Sequence, residues 1–259
     1  MMIIANNNYH YCWYMEMEQI CVVIPFYNES ARFDTDAFSR FYAVYTTIYF
    51  CLVNDGSIDN TIDILNNLGE NATRIKVLNL EQNVGKAEAV RQGIIEAQGW
   101  QSFDYVAYLD ADFSAPLETI PYLLQNRRNA LFILGSRVLM LGSNIQRNAF
   151  RHYVGRIFAT LASEMLNLPV YDSQCGAKVF HVSLIEKAFS NPFITTWLFD
   201  LEIIMRIVNH LGWEKFKSIS IEIPLKKWIE KGGSKVKLSY IFHLPFDLIK
   251  IRRKYGKAI

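Results

Sequence analysis

The sequence lacks the glycine-rich motifs with which many α/β proteins hold nucleotides. The turn after its first predicted strand has Pro25 and Glu29 where a G-x-G-x-x-G fingerprint would place glycines. A G-x-x-x-x-G-K-S/T phosphate loop is absent as well. These two absences exclude the dinucleotide-binding and P-loop classes.

Cysteine and histidine are few, and their spacing excludes the usual disulfide and zinc sites. The 4 cysteines contain no C-x-x-C pair, and Cys21 and Cys51 lie in apolar, strand-like runs. The 5 histidines are scattered without the spacing of metal ligands. We therefore expect reduced thiols in a reducing compartment and no zinc site.

Long apolar runs are also missing. No stretch of about 18 uninterrupted apolar residues exists, so no membrane-spanning helix is expected. Residues 1–18 lack the basic-then-apolar plan of a signal peptide, and we predict that they form a disordered extension. A hydrophobic content of 51% with 20% charged residues and only 7 prolines favours a packed core. We place this core in one large domain at residues 19–237.

Charge is unevenly distributed along the chain. Residues 214–259 hold 12 lysine or arginine residues against 4 acidic ones, whereas the rest holds 15 against 21. Residues 238–259 mix large apolar side chains with basic residues at 250 and 252–254, which predicts an amphipathic basic helix. Such a helix suits a membrane surface, but a solvated helix end or a helix packed on the core would show the same pattern.

Strand-like and helix-like segments alternate through the first half of the chain. Short apolar runs predict strands at 20–25, 49–54, 75–80, 105–109 and 131–135. The intervening segments predict helices at 34–46, 57–68 and 85–98 and a helix that begins at Pro116. This alternation predicts an α/β fold, a doubly wound and mostly parallel sheet with helices on both faces.

Polar clusters follow four of the predicted strands. They are PFYNE at 25–29, NDGS at 54–57, NVGK at 83–86 and DAD at 110–112. Because ligands of such sheets bind at the carboxyl ends of the strands, we expect these clusters to form one rim. Each cluster alone is ordinary turn chemistry. Together, their carboxylates and lysine favour a nucleoside diphosphate with a divalent metal, and Asp110 and Asp112 are the candidate metal ligands.

The complete set of motifs resembles the family 2 glycosyltransferases of the GT-A fold. The resemblance rests on VVIPFYNE at 22–29 and on the VNDGS, NVGK and DAD motifs at 53–57, 83–86 and 110–112. Three further motifs resemble the branch of dolichyl-phosphate glucosyltransferases and polyprenyl-phosphate mannose synthases, most closely the glucosyl type. They are DSQCGAKVF at 172–180, WLFDLE at 197–202 and GGSK at 232–235.

The resemblance implies a role for each candidate site residue. It implies that the nucleotide sugar is bound by Pro25, Tyr27, Glu29, Val53, Asp55, Lys86, Asp110, Ala111 and Lys235. It implies catalytic roles for Asp112, Arg137, Arg151 and Asp172, the last as a base or as a group that positions the sugar. Asp110 and Asp112 would hold Mg²⁺ or Mn²⁺. Asn54 replaces an aspartate that is usual in the family, which leaves Asp55 to recognise the nucleoside.

Some of these residues have simpler explanations. Aspartate is a common cap of helices and turns, so Asp172 could serve that purpose alone. Asp200 and Glu202 either contact the transferred sugar or cap a helix at 201–210. Residues 148–166 form a second amphipathic segment that could line the path of the acceptor.

The resemblance implies an inverting, metal-dependent hexosyltransferase with a polyprenyl or dolichyl phosphate acceptor, and it favours UDP-glucose over GDP-mannose as the donor. It implies a cytoplasmic enzyme, peripheral on the inner face of a membrane, with no nucleic-acid partner. One alternative is a soluble family 2 glycosyltransferase that acts on a saccharide hydroxyl and needs Asp172 strictly. The other is a nucleotide-sugar-binding protein without turnover.

Overall fold

The computed structural model describes residues 18–147, 149–167, 169–231 and 243–256, without the side chains of 149–154 and 158. Most of the predicted N-terminal extension, and Lys235, lie outside these residues. One large sheet organises the part that is described. Its seven strands are β1 (Ile20–Phe26), β2 (Ile48–Asp55), β3 (Ile75–Leu80), β4 (Tyr105–Leu109), β5 (Phe132–Ser136), β7 (Ala177–His181) and β8 (Ser220–Pro224). A small second sheet pairs β6 (Asn144–Gln146) with β9 (Lys227–Ile229).

The large sheet has the order β3-β2-β1-β4-β7-β5-β8. Strand β7 runs antiparallel to its neighbours β4 and β5, and the other pairs are parallel. The inner strand β1 is almost completely buried, as its apolar, β-branched sequence predicts for a strand covered on both faces. The predicted doubly wound, mostly parallel sheet is confirmed.

Helices cover both faces of this sheet. They are α1 (Thr35–Val44), α2 (Thr61–Gly69), α3 (Lys86–Trp100), α4 (Thr119–Gln125), α5 (Ala149–Leu166), α6 (Ile185–Phe189), α7 (Phe199–Leu211), α8 (Trp213–Ile219) and α9 (Leu244–Tyr255). Helices α1, α2 and α4 pack into the apolar cluster on one face. Helices α3 and α5–α9 pack into the cluster on the other. Two apolar layers therefore hold the sheet and fix the strand ends.

Two predicted helices begin later than expected. The segment at Pro116 forms a turn, in which the Thr119 N–H donates to the Pro116 carbonyl, and α4 follows it. Ser57 does not cap α2; its hydroxyl accepts the N–H of Asn28 at 3.0 Å. Ser57 therefore connects the loops after β1 and β2, and Pro116 begins a turn that precedes the helix.

The C-terminal helix α9 is anchored to the core and also exposes apolar surface. Leu248, Ile251 and Tyr255 are buried, whereas Phe246 and Ile249 are exposed. The Tyr255 hydroxyl donates to the buried carboxylate of Glu202 at 2.9 Å, and that carboxylate also accepts from Arg206. Glu202 is thus a structural anchor of α9. In the described part of the chain, no helix has the length and apolar character needed to cross a bilayer.

Candidate active site

Hydrogen bonds lock the polar loops at the carboxyl ends of β1, β2 and β3 together. The Asp55 carboxylate accepts the N–H groups of Val84 at 2.7 Å and Gly85 at 3.0 Å. Gly56 has a φ of +62°, and a Cβ there would collide with the backbone of Gln82 and Asn83. Only glycine fits this close approach, so the β2 and β3 loops form one fixed wall.

The loop after β1 is fixed to the loop after β2 in the same way. The Glu29 N–H donates to the Thr61 hydroxyl at 2.9 Å, and the Ile58 N–H donates to the Asn28 side chain at 2.9 Å. The Ser30 hydroxyl donates to Asp59 at 2.6 Å. The predicted convergence of these clusters therefore occurs through side chains that bridge the loops.

A cavity of about 710 Å³ lies at this rim. It combines acidic, basic and aromatic groups from both halves of the sheet. Its lining includes the predicted residues Pro25, Tyr27, Glu29, Asp55, Lys86, Asp110, Ala111, Asp112 and Arg137. It also includes residues that were not predicted as site residues, among them Arg32, Arg147, Trp197, Trp228, Glu230 and Lys231.

Asp110 and Asp112 lie on the cavity wall directly after β4. Asp110 forms an ion pair of 2.5 Å with Lys86 Nζ, and its carboxylate lies against the Cα of Gly176, where no Cβ could fit. Asp112 accepts the Ser114 N–H at 2.8 Å and lies 3.8 Å from the Arg32 guanidinium. Hard carboxylate oxygens suit Mg²⁺ or Mn²⁺. Among the described residues, however, no group of three or more acidic, histidine or cysteine side chains could hold a metal. The pair therefore fits a metal that takes its remaining ligands from a phosphate and water.

A buried polar cluster supports this wall from behind. Asp200 accepts hydrogen bonds from the Tyr108 hydroxyl and, at 2.8 Å, from Lys178 Nζ. Lys178 also donates to the Cys175 carbonyl at 2.6 Å, next to Gly176. Burial lowers the pKa of Lys178 to about 7 and raises the pKa of Asp200 to about 8. Asp200 therefore supports the wall from within the core and does not line the cavity.

Arg137 and Asp172 form a fixed pair at the other side of the cavity. Both Asp172 oxygens accept from the Arg137 guanidinium, at 2.7 Å each, and one also accepts the Arg137 N–H at 3.0 Å. Burial would raise the pKa of Asp172, but the Arg137 charge and hydrogen bonds outweigh it and hold the pKa at about 2. Asp172 is absent from the lining of the large cavity. Arg137 thus engages both Asp172 oxygens, and the roles of Asp172 as a base or as a group that positions the sugar stay predictions.

Arg147 is a basic residue of the site that the sequence reasoning missed. It lines the large cavity and an adjoining one of about 70 Å³, which it shares with Arg137, Arg156 and Asp172. Burial, and then the nearby Arg137 charge, lower the pKa of Arg147. A partly buried guanidinium that is repelled by another cation favours an anion in this place. Its only sequence signal was its position just before the amphipathic segment.

Of three other predicted residues, one lies away from the cavity and two fall outside what the structure describes. Val53 is fully buried in the core, where Gly93 packs against its side chain. Successive side chains of β2 point to opposite faces of the sheet, and that of Val53 points into an apolar layer. Arg151 falls within α5, with its side chain outside the described part, and Lys235 lies outside it completely. The three described cysteines, Cys21, Cys51 and Cys175, are free and buried.

Comparison with known proteins identifies the class that this fold and cavity define. Residues 21–189 match the family described as Glycosyl transferase family 2. The dolichyl-phosphate β-glucosyltransferase of Saccharomyces cerevisiae is 32% identical over 91% of this chain and 75% of its own length. The human enzyme of that name is 28% identical over 94% of this chain and 78% of its own. The chain therefore belongs to glycosyl transferase family 2, in its dolichyl-phosphate β-glucosyltransferase branch, as the motifs predict.

Solved structures agree with this fold. Glucosyl-3-phosphoglycerate synthase from Mycobacterium tuberculosis, in complex with Mn²⁺, UDP and glucosyl-3-phosphoglycerate, gives a TM-score of 0.67. The match covers 99% of this chain and 86% of that one, at 15% sequence identity. A complex of the same enzyme with Mg²⁺ and UDP gives a TM-score of 0.66. At this identity the likeness shows a shared GT-A fold.

Proposed function

We propose that the protein transfers glucose from UDP-glucose to a dolichyl or other polyprenyl phosphate, with inversion of the anomeric carbon. The observation that carries this proposal is one cavity with an acidic pair, Asp110 and Asp112, on one wall and arginines, Arg137 and Arg147, on another. The acidic wall suits a metal-bound diphosphate, and the basic wall suits a second anion. GDP-mannose is the alternative donor.

The donor end of the cavity would hold a nucleoside diphosphate. Asp55 and Tyr27 line it, and the locked loops of β1, β2 and β3 keep its shape before the donor arrives. A divalent metal on Asp110 and Asp112 would stabilise the negative charge that develops on the leaving diphosphate. Removal of one such electrostatic contact typically lowers a rate about 100-fold. These side chains thus supply orientation and charge at the donor.

The acceptor proposed here needs cations more than it needs a base. A phosphate monoester has a second pKa near about 6, so it is mostly ionised at neutral pH. It can attack without losing a proton to the protein, but it is repelled by the donor diphosphate. Arg147, next to the Arg137–Asp172 pair, offers a partly buried positive charge that offsets this repulsion. Engagement of Asp172 by Arg137 favours this acceptor over a saccharide hydroxyl, which needs a general base.

A membrane surface is the proposed source of the lipid acceptor, on the cytoplasmic side. Helices α5 and α9 contact each other, and each exposes large apolar side chains. They are Ile157 and Leu161 on α5 and Phe246 and Ile249 on α9. The last turn of α9 adds Arg252, Arg253 and Lys254. Apolar side chains beside basic ones suit the interface of an anionic bilayer. Because α5 also lines the small arginine cavity, docking there would bring lipid phosphate to Arg147.

The test is a transfer assay with radiolabelled nucleotide sugars. The protein is incubated with Mg²⁺ or Mn²⁺, labelled UDP-glucose or GDP-mannose, and dolichyl or undecaprenyl phosphate, and lipids are extracted into organic solvent. We expect label from UDP-glucose in the lipid phase. Label that moves only onto a soluble saccharide would favour the alternative transferase. Tight UDP-glucose binding without any transfer would favour a non-catalytic binder.

The Asp112→Asn variant tests the metal assignment in the same assay. We expect it to lose nearly all transfer, because one carboxylate of the acidic pair loses its charge. Asp36→Asn, the same change at an exposed carboxylate of α1, is the matched control and should retain transfer. Near-normal turnover of Asp112→Asn would contradict the assignment.

A further inference from the structure

Lys86 forms an ion pair with Asp110, one of the two carboxylates that the proposed metal needs. Its Nζ lies 2.5 Å from Asp110 Oδ1, and both side chains are only about one-third exposed, at 33% and 38%. The position of Asp110 is fixed, because its carboxylate lies against Gly176 and its N–H donates to the Gly176 carbonyl at 3.2 Å. The backbone bond fixes the main chain of Asp110, and the close approach of Gly176 leaves its carboxylate no room on that side.

A metal ion that arrives without a nucleotide finds the Lys86 ammonium already paired with Asp110. Asp110 and Asp112 offer only two carboxylates, and the described residues supply no third acidic, histidine or cysteine ligand. The metal would have to displace the Lys86 ammonium from Asp110 without a new anion to receive it. A metal that arrives with a nucleoside diphosphate brings that anion, since the phosphate oxygens can accept from the ammonium.

The Phe199 ring keeps Lys86 near the site while this exchange takes place. The Lys86 ammonium lies over this ring, 5.8 Å from its centre. Phe199 is fixed at the start of α7, where Lys178 and Tyr108 hold the adjacent Asp200 in the core. Lys86 thus remains near the cavity when Asp110 coordinates a metal.

We propose that Lys86 excludes free divalent metal from Asp110, so that metal binds tightly only together with the nucleoside diphosphate. This inference rests on the proposed function, because it uses the same pair of metal ligands. It makes Lys86 a residue that couples the binding of metal to the binding of donor. Removal of its charge should strengthen the binding of metal alone, whereas a residue that only supports the site would weaken it.

The experiment measures Mn²⁺ affinity by electron paramagnetic resonance, with and without UDP. Wild-type protein should bind Mn²⁺ weakly alone and much more tightly with UDP. Lys86→Met should bind Mn²⁺ alone about tenfold more tightly, since a partly buried ion pair no longer competes. Its gain in Mn²⁺ affinity on addition of UDP should shrink. Lys86→Arg, which keeps the charge, should bind Mn²⁺ alone as weakly as wild type.

Lys76→Met is the matched control. Lys76 forms an ion pair with Glu96 that has the same 2.5 Å length and nearly the same exposure, 37% and 36%, and neither residue lines the cavity. Its loss should leave Mn²⁺ affinity unchanged. If Lys86→Met is too unstable to purify, Lys86→Gln serves in its place. Unchanged or weaker Mn²⁺ binding by the neutral variant would overturn the inference.

Failure of the inference and failure of the proposed function give different results. In Asp112→Asn, Mn²⁺ binding in the presence of UDP should fall sharply. If it does not, the metal site itself is wrong. If it does, and Lys86→Met still shows no gain in the binding of Mn²⁺ alone, the metal site stands and only the role of Lys86 is wrong.

Discussion

In the pair of Arg137 and Asp172, both oxygens of a carboxylate beside the cavity are engaged by the neighbouring guanidinium. Asp172 is buried, accepts three hydrogen bonds from Arg137 and has a pKa of about 2. A group with such a pKa is a weak acceptor of protons at neutral pH. Its contribution is to fix the guanidinium, and that contribution depends on pH.

We predict that Asp172 makes folding sensitive to acid. Its pKa is about 2 in the folded protein against an ordinary value of 3.8, so its stabilising effect is present above about pH 4 and is lost as pH falls towards 2. The shift corresponds to about 2 kcal/mol. Urea unfolding of wild type and Asp172→Asn, followed between pH 6 and pH 3, should show that their difference in unfolding free energy shrinks as pH falls. A difference that stays constant would contradict the assigned pKa.

At the scale of elements, the antiparallel strand β7 supports the acidic wall. Its register places Ala177 opposite Leu109 and Lys178 opposite Tyr108. Gly176, one residue before β7, therefore meets Asp110, one residue after β4. The strand pairing thus sets the position of the candidate metal ligand.

We predict that Gly176→Ala damages the site more than the fold. A Cβ at Gly176 would overlap the Asp110 carboxylate, which must then leave the position in which it pairs with Lys86. Transfer to the lipid phase and Mn²⁺ affinity in the presence of UDP should both fall at least about tenfold. The control is Gly99→Ala in α3, where a Cβ meets open space. It should keep full activity and gain up to about 1 kcal/mol of stability. Equal activity of the two variants would contradict this role of Gly176.

The alternation of elements was predictable, but part of the sheet was not. Five strands of the parallel pattern have apolar runs with clear turn residues behind them. Strand β7 reads AKVFH, and its buried Lys178 breaks the apolar pattern because Asp200, far along the chain, is its partner. Strands β6 and β9 are too short to show any periodicity. Long-range pairing decides these segments, and a single sequence does not display it.

The sequence predicts those candidate site residues that directly follow a strand. Asp55, Lys86, Asp110 and Asp112 follow predicted strands, and parallel strands bring their carboxyl ends together. Arg147 and Trp228 enter the cavity from the small β6–β9 sheet region, which the alternating pattern does not include. The pKa and the hydrogen bonds of Asp172 depend on Arg137, 35 residues away, so the sequence alone left the role of Asp172 open.

At the scale of the whole molecule, two kinds of surface lie in different places. The acidic wall and the locked loops lie at the rim of the sheet, whereas α5 and α9 present apolar and basic side chains on one face. We propose that the face of α5 and α9 lies on a bilayer, which would bring the arginine cavity near the lipid phosphates.

We predict that Phe246 contributes to membrane binding. Phe246→Ser should weaken partitioning to vesicles of phosphatidylserine and phosphatidylcholine about tenfold, since burial of an aromatic side chain in the interface is lost. Val44→Ser is the control, because Val44 on α1 is exposed to a similar degree, 72% against 65%, on the opposite face of the sheet. Flotation assays measure both, and added salt should weaken wild-type binding. Equal vesicle binding by the two variants would contradict the proposal that α5 and α9 form the membrane-binding face.

The central claim is that a metal on Asp110 and Asp112 grips the donor diphosphate. The most direct measurement is a crystal structure of the protein with UDP and Mn²⁺, with manganese located by its anomalous scattering. We predict manganese coordinated by at least one of the two carboxylates and by diphosphate oxygens, with Lys86 moved from Asp110 to the diphosphate. Manganese or nucleotide bound elsewhere at saturating concentrations, with both carboxylates in bulk solvent, would contradict the account.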